Sequence, residues 1–184
     1  TTSKILELER EVMMNIHKSL ISSMDIRDVY NVIAAEMNKL IKFDRMSIAL
    51  KNHKHIMKEN RLENEYDVLV NFAVKEGING KLRMGSRFDL RESILERIIE
   101  TGKPIIVNDT KDNEFSTDHI FYKEGTRSRL GYPIIYKEKV IGSINLGYKV
   151  KNNFTEEHYT ILKQITPELA VSIENTNLYT ELKE

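Results

Sequence analysis

Residues 129–148 read RLGYPIIYKEKVIGSINLGY and, after the polar break 149–153, residues 154–179 read FTEEHYTILKQITPELAVSIENTNLY. In the first stretch two β-rich runs, Leu130–Tyr136 and Val140–Tyr148, flank Lys137–Glu138–Lys139. That is the spacing of an antiparallel hairpin with a tight charged turn. In the second run Val140, Ile144 and Leu146 fall on one face, and Ser143 and Asn145 on the other. An oily face asks to be covered by helices, whereas a small polar face leaves room. Thr155 then stands as an N-cap ahead of Glu156 and Glu157, whose charges oppose the positive end of a helix dipole, so a helix is expected from about Glu156. Leu162, Ile165 and Leu169 form its packed side. Pro167 removes one backbone hydrogen bond and crowds the carbonyl four residues earlier, which predicts a kink near Gln164–Thr166. Beyond it Leu169, Ile173, Thr176, Leu178 and Leu182 carry a helical pattern onward, and the helix is expected to continue past the last residue.

The same division of faces recurs upstream. Met46, Ile48 and Leu50 alternate with Ser47 and Ala49, and over Tyr66–Val74 the residues Val68, Val70, Phe72 and Val74 alternate with Asn71 and Ala73. Three strands thus share one design. Gly77 and Gly80 supply the turn that follows. Ile5, Leu8, Val12, Ile16 and Leu20 give a narrow helical stripe over Ser3–Ser22, although Asn15 and Ser19 fall on seam positions of a strict heptad. A second helix follows Asp25 or Asp28 with Val29, Ile33, Met37 and Leu40 on one face. A third is expected from Asp89 to Thr101, capped by Asp89 with Glu92, packed through Ile94, Leu95, Ile98 and Ile99, and stopped by Gly102 and Pro104. A short strand at Ile105–Val107 leads into Asn108–Asp109.

Composition narrows the chemistry. With 184 residues, 40% hydrophobic content, 8 Gly and 3 Pro, the chain can bury one ordinary core. Its 28 basic and 28 acidic residues give no net field toward nucleic acid or an anionic membrane. Cys is absent, which removes disulfides, thiolate nucleophiles and thiol-linked chromophores and is compatible with the cytoplasm. No apolar run approaches the roughly 20 residues that span a bilayer, and no signal-peptide pattern opens the sequence.

From Asp25 to Glu181 the parts occur in an order that resembles the GAF domain, the sensory module of signalling proteins such as histidine kinases. The resemblance is carried by a helix before RMSIAL, by SILERIIETGKPIIVND, by a variable loop, and by the hairpin and exit helix quoted above. It implies an α+β, PAS-related fold: an antiparallel sheet with the terminal helices on one face and, on the other, a ligand cavity roofed by short helices and loops. It also implies a homodimer formed through the terminal helices and an attached output domain, that of a histidine kinase in a two-component system or of a cyclic-di-GMP enzyme. Residues 1–24 would then be an N-terminal dimerisation helix, 25–174 the sensory domain and 175–184 the signalling helix.

On that fold Ser47, Ala49, Asn71, Ala73, Ser143 and Asn145 would line the cavity floor; the alternative is that small residues let a helix sit close on the sheet. The loop Thr110–Arg129 carries Phe115, His119, Phe121, Tyr122, Arg127 and Arg129, in the region that covers the cavity in the family. Arg127 and Arg129, two apart, would point to one side and bind a phosphate or carboxylate, or else remain unpaired on an exposed edge. His119 lies where bilin- and haem-binding members place cofactor-contacting groups, the alternative being a solvated histidine. His53 and His55 lack a third ligand for a metal, and His17 and His158 suggest surface or capping roles.

The absence of Cys excludes the sulfoxide reductase chemistry of the family and covalent bilin attachment. The asparagine-lysine-phenylalanine-aspartate-glutamate signature of cyclic-nucleotide binders is echoed only by Asn153, Phe154 and Glu157. No phosphate loop, serine triad or phosphoacceptor histidine motif is present, so no catalytic residue is assigned. The expectation is a small-molecule sensor of open ligand and cofactor identity, with a ligand-free dimerisation spacer as the alternative.

Overall fold

The alternating runs pair into one antiparallel sheet. In the computed structural model, residues 2–22, 25–51, 67–74 and 87–183 are described, the side chains of 67–74, 87–89 and 177–183 excepted. Helices α1 (Thr2–Leu20) and α2 (Ile26–Met37) precede strands β1 (Arg45–Lys51), β2 (Asp67–Val74) and β3 (Arg87–Asp89). Helix α3 (Ile94–Thr101), strand β4 (Ile105–Val107) and helix α4 (Asp118–Lys123) follow, then β5 (Ser128–Tyr136), β6 (Lys139–Tyr148) and α5 (Tyr159–Lys183). The sheet order is β3-β2-β1-β6-β5-β4. His53, His55, Gly77 and Gly80 lie outside the described residues.

The hairpin turn is Lys137–Glu138, with φ of 47° and 66°. Both central residues are left-handed, as a two-residue turn that matches strand twist requires, even without the usual glycine. Helices α2 and α5 lie on one face of the sheet and α1 packs on both of them, so that Val12, Ile16, Ile33, Met37, Leu162, Ile165 and Leu169 share one core with Met46, Ile48, Leu130, Ile134, Ile144 and Leu146. Against expectation, Ile141 belongs to this face, and Val140 packs on the opposite one with Ala49, Leu90 and Leu95. The reason is a bulge: Ile134 stands opposite Gly142 but Ile135 opposite Val140, so one extra residue reverses the alternation. A second bulge sets Ile48 opposite Phe72 and Ala49 opposite Val70, leaving Asn71 as the extra residue.

Helix α3 starts later than its sequence suggests. Asp89 belongs to β3, and the N-cap is Ser93, whose Oγ accepts from the Glu96 N–H at 3.1 Å while Glu96 Oε1 accepts from the Glu92 N–H at 3.2 Å. The capping pair is therefore Ser93 with Glu96, four residues downstream of where Asp89 and Glu92 placed it. Gly102 closes the helix at φ 66°, its N–H bonded to the Ile98 carbonyl. Since nothing lies within 4 Å of a Cβ built there, the cost of Gly102→Ala is conformational alone. We expect a loss of about 1 kcal/mol in urea unfolding.

Helix α5 is preceded by a 3₁₀ turn, Glu156–His158, and passes through the exposed Pro167 without ending. His158 Nδ1 accepts the backbone N–H of Thr155 at 3.1 Å, which only a ring unprotonated at that nitrogen can do. Burial holds His158 below its ordinary value of 6.5, with Glu157 opposing. The unfolded chain therefore takes up this proton first as pH falls, so the contribution is complete above about pH 6.5 and is lost as pH drops through the folded value. Thermal midpoints are expected to fall more steeply from pH 7 to 5 in the unsubstituted chain than in His158→Asn.

Candidate functional site

Opposite the helical layer, three rows of side chains cross strands β1, β6 and β5. Ala49, Ser143 and Pro133 form the first, Ser47, Asn145 and Gly131 the second, and Arg45, Gly147 and Arg129 the third. Facing residues of an antiparallel ladder share a side of the sheet, so the small-polar positions and two arginines lie on one floor. Across this floor Ser143 Oγ donates to Asn145 Oδ1 at 3.0 Å, and Asn145 Nδ2 lies 3.4 Å from Ser47 Oγ. Asn71 and Ala73 belong to β2, where Ala73 stands opposite Ser47; their side chains lie outside the described residues.

Helix α3 sits close on the second row. A Cβ at Gly131 would meet Ile94 Cγ2 at 2.7 Å and Ile98 Cδ1 at 3.0 Å, so the missing side chain is what seats the helix. Close packing thus accounts for Gly131, beside a floor that keeps polar groups half-buried at Ser47 and Asn145. Phe115 is buried with Ile94, Ile98 and Val107 and lies beneath the Arg97 guanidinium, which stands 4.6 Å from its ring.

The third row was only half anticipated. The stretch Thr110–Arg129 is not simply a loop: it holds the 3₁₀ turn Thr110–Asp112 and α4. Phe121 of α4 turns inward, with Arg129 Cζ 3.7 Å and Arg45 Cζ 4.8 Å from its ring centroid, both within cation–π range. Helix α4 and the residue after it also supply both counter-charges. Arg129 Nη1 donates to Asp118 Oδ1 at 2.7 Å, and Arg45 Nη1 to Glu124 Oε2 at 3.0 Å. Asp118 is wholly buried, and its second oxygen accepts the Phe115 N–H. Burial lowers Arg129 to about 10, with Asp118 opposing, and lowers Arg45 in the same sense against Glu124.

Arg127 does not share this arrangement. Its Nε and Nη2 make a two-point pair with Asp109 at 3.0 and 2.9 Å, and its guanidinium lies 5.3 Å from the Tyr122 ring. That hydrogen bonding draws Asp109 below its usual range and raises Arg127. Neither arginine is unpaired, and Arg127 clamps the stretch after β4 to the start of β5 rather than entering the floor. His119 is exposed on α4 and does not line the cavity beside Arg129.

Arg45, Ser47, Phe121, Arg129, Asn145, Leu146 and Gly147 enclose a cavity of about 10 Å³, room for one water molecule. A much larger open groove, about 610 Å³, runs on the other side of the molecule along α1, from Leu6 past Met13 and Met14 to Ile21, with Gln164 of α5 at its edge. Arg45 and α4 are the parts missed from sequence. Arg45 continues the period of Ser47 and Ala49 by one step, whereas a six-residue helix shows too few turns for periodicity to reveal it.

The GAF domain family model matches residues 23–174. The GAF domain of a two-component sensor histidine kinase from Bacillus halodurans is 26% identical, covering 86% of this chain and 99% of that one at a TM-score of 0.68. The phycoerythrobilin-bound GAF domain of a cyanobacterial phytochrome is 15% identical, with 94% and 98% covered at 0.69. A type II free methionine-R-sulfoxide reductase from Thermoplasma acidophilum is 16% identical, with 81% and 92% covered at 0.62. No curated protein matches the chain.

Proposed function

Because the chain belongs to the GAF domain family, we propose that it is a regulatory domain that binds a small molecule on its sheet floor and reports occupancy through α1 and α5. GAF domains are sensory modules of signalling proteins. Neighbours on this fold include a kinase sensor, a bilin binder and a reductase, so the site has to decide among them. The observation that carries the proposal is the charged and polar floor of Arg45, Ser47, Arg129 and Asn145, roofed by the short α4 and backed across one sheet by the helices that would carry the signal. The chain has no Cys for reductase chemistry, and we assign it no reaction. Residues 25–174 form the sensory unit, with output through the segment 175–184 to a domain of the same polypeptide, a histidine kinase or a cyclic-di-GMP enzyme, in the cytoplasm. No helix among the described residues is long and apolar enough to cross a membrane.

Transmission requires one dimer geometry to bind ligand better than the other. Support for a dimer comes from α1 and the residue after it, where Leu6, Met14 and Ile21 are 55%, 50% and 82% exposed along the groove. His17 Nδ1 and Glu168 Oε2, 2.6 Å apart, tie α1 to α5 beside it. We expect Leu6→Glu with Met14→Glu to convert a dimer to a monomer in analytical ultracentrifugation while leaving the far-ultraviolet circular dichroism of the folded chain unchanged, since both side chains are at least half exposed without a partner. A monomeric unsubstituted chain would remove the dimer from the proposal.

One observation favours the alternative, a ligand-free dimerisation spacer: Phe115 and Phe121 are both buried on the floor side, and the void that Phe121 borders with Arg45 and Arg129 is water-sized. Leu130 packs on the helical side and leaves the floor to them. Native mass spectrometry of protein purified from its source separates the two. A retained small molecule in a dimer supports sensing, and a dimer with no added mass supports the spacer.

A further inference from the structure

We propose that the unused edge of Arg129 is a carboxylate subsite, which makes the sensed molecule a small organic acid. The inference rests on the sensory proposal and names the chemical class of its ligand. Arg129 is 9% exposed, and its hydrogen bonds all leave from Nη1, to Asp118 Oδ1 and to Thr117 Oγ1 at 3.3 Å. Nε and Nη2, three of the five guanidinium N–H donors, make none among the described residues. Neither nitrogen is sealed from solvent, and a free guanidinium edge of this kind fits the two oxygens of a carboxylate.

The surroundings point the same way. Arg129 borders the void with Ser47, Asn145 and Gly147, and Arg45 stands across it on the same row. The hydroxyl proton of Ser47 finds no acceptor among the described residues, and the Asn145 amide makes only contacts of 3.4 Å as a donor. Gly147 stands between the arginines on this row, where an added Cβ would crowd Thr126 Cγ2 at 2.9 Å and Arg45 Cβ at 3.5 Å. A carboxylate group would thus meet a bidentate cation, a hydroxyl and an amide, with the second guanidinium adding charge. The planar group suits that edge and a narrow void better than tetrahedral phosphate does. Because the void holds one water, the Phe121 ring has to turn aside with α4 for the rest of the acid to enter.

Acetate, succinate and inorganic phosphate, titrated separately into the full chain at constant ionic strength, test this through the backbone amide resonances of Ser47, Asn145 and Gly147. Saturable shifts with a carboxylate are expected. Asn145→Ala should weaken that binding about tenfold, and Arg129→Lys, which retains a cation for Asp118 but loses the planar edge, should abolish it. Should Arg129→Lys not fold, the Asn145→Ala comparison carries the test. Lack of saturation with either carboxylate, unchanged affinity in Asn145→Ala, equal binding by Arg129→Lys, or tighter binding of phosphate would each overturn the inference. A retained molecule without an acid group would sink this inference and leave the sensory proposal standing. A spacer-like dimer with no retained molecule and no carboxylate binding would end both.

Discussion

Asp118→Ala is expected to lower the unfolding free energy by about 3–5 kcal/mol, because it leaves the Arg129 guanidinium buried with no counter-charge at hydrogen-bond distance. Asp118 has no exposed surface and makes two bonds, one to Arg129 Nη1 and one to the Phe115 N–H, so truncation also strands a backbone donor at the start of the α4 segment. At about 2–4 °C per kcal/mol for a chain of this size, the thermal midpoint should fall by roughly 10 °C. The pair as a whole need not be a net stabiliser, since desolvating two charges offsets much of their attraction. Replacing both partners tests that distinction. Asp118→Ala with Arg129→Met should be more stable than Asp118→Ala alone, the methionine keeping contact with Phe121 without a charge to bury. Urea unfolding of the two single variants and the double variant yields the coupling. A loss under about 1 kcal/mol in Asp118→Ala would mean that Arg129 reaches solvent without it.

What could be read in advance followed from how many residues each pattern engages. The hairpin and α5 were legible because alternation over Leu130–Tyr148 and helical spacing over 25 residues average out local exceptions. The faces of Val140 and Ile141 were not, because a bulge is a single insertion set by pairing with a neighbouring strand, and nothing in KVIGSIN marks it. The bulge beside Asn71 is unmarked for the same reason. The start of α3 was misplaced because Asp89–Glu92 and Ser93–Glu96 both present a capping spacing, and only the pairing of Asp89 with Asp67 in the sheet decides between them. Around the site, period two set Ser47, Ala49, Ser143 and Asn145 on one face of the sheet, but the same spacing put Arg127 beside Arg129, and Arg127 pairs with Asp109 instead. Burial of an acid such as Asp118 has no local signature: its neighbour His119, equally polar in sequence, is exposed. Tertiary pairing selected between them.

Gly142→Ala is the second large effect, and its cause is space rather than conformation. Gly142 lies in β6 opposite Leu50, between the strand pairings that carry the two bulges. A Cβ there would stand 2.3 Å from the Ala49 carbonyl oxygen and 3.1 Å from Leu50 Cα. The nearest obstacle is main chain, which cannot rotate away as a side chain can, so β1 and β6 must separate locally. Overpacking of this kind costs about 3 kcal/mol, roughly three times the conformational cost at Gly102. The displacement begins one residue from the row of Ala49 and Ser143 and so strains the Ser143–Asn145–Ser47 contacts of the floor. Urea unfolding should therefore rank Gly142→Ala well below Gly102→Ala in stability, and the amide resonances of Ser47 and Asn145 should move in the first variant but not in the second. Equal losses in the two would show that the sheet yields at Gly142 without strain, and the floor would then be a softer surface than its close strand packing implies.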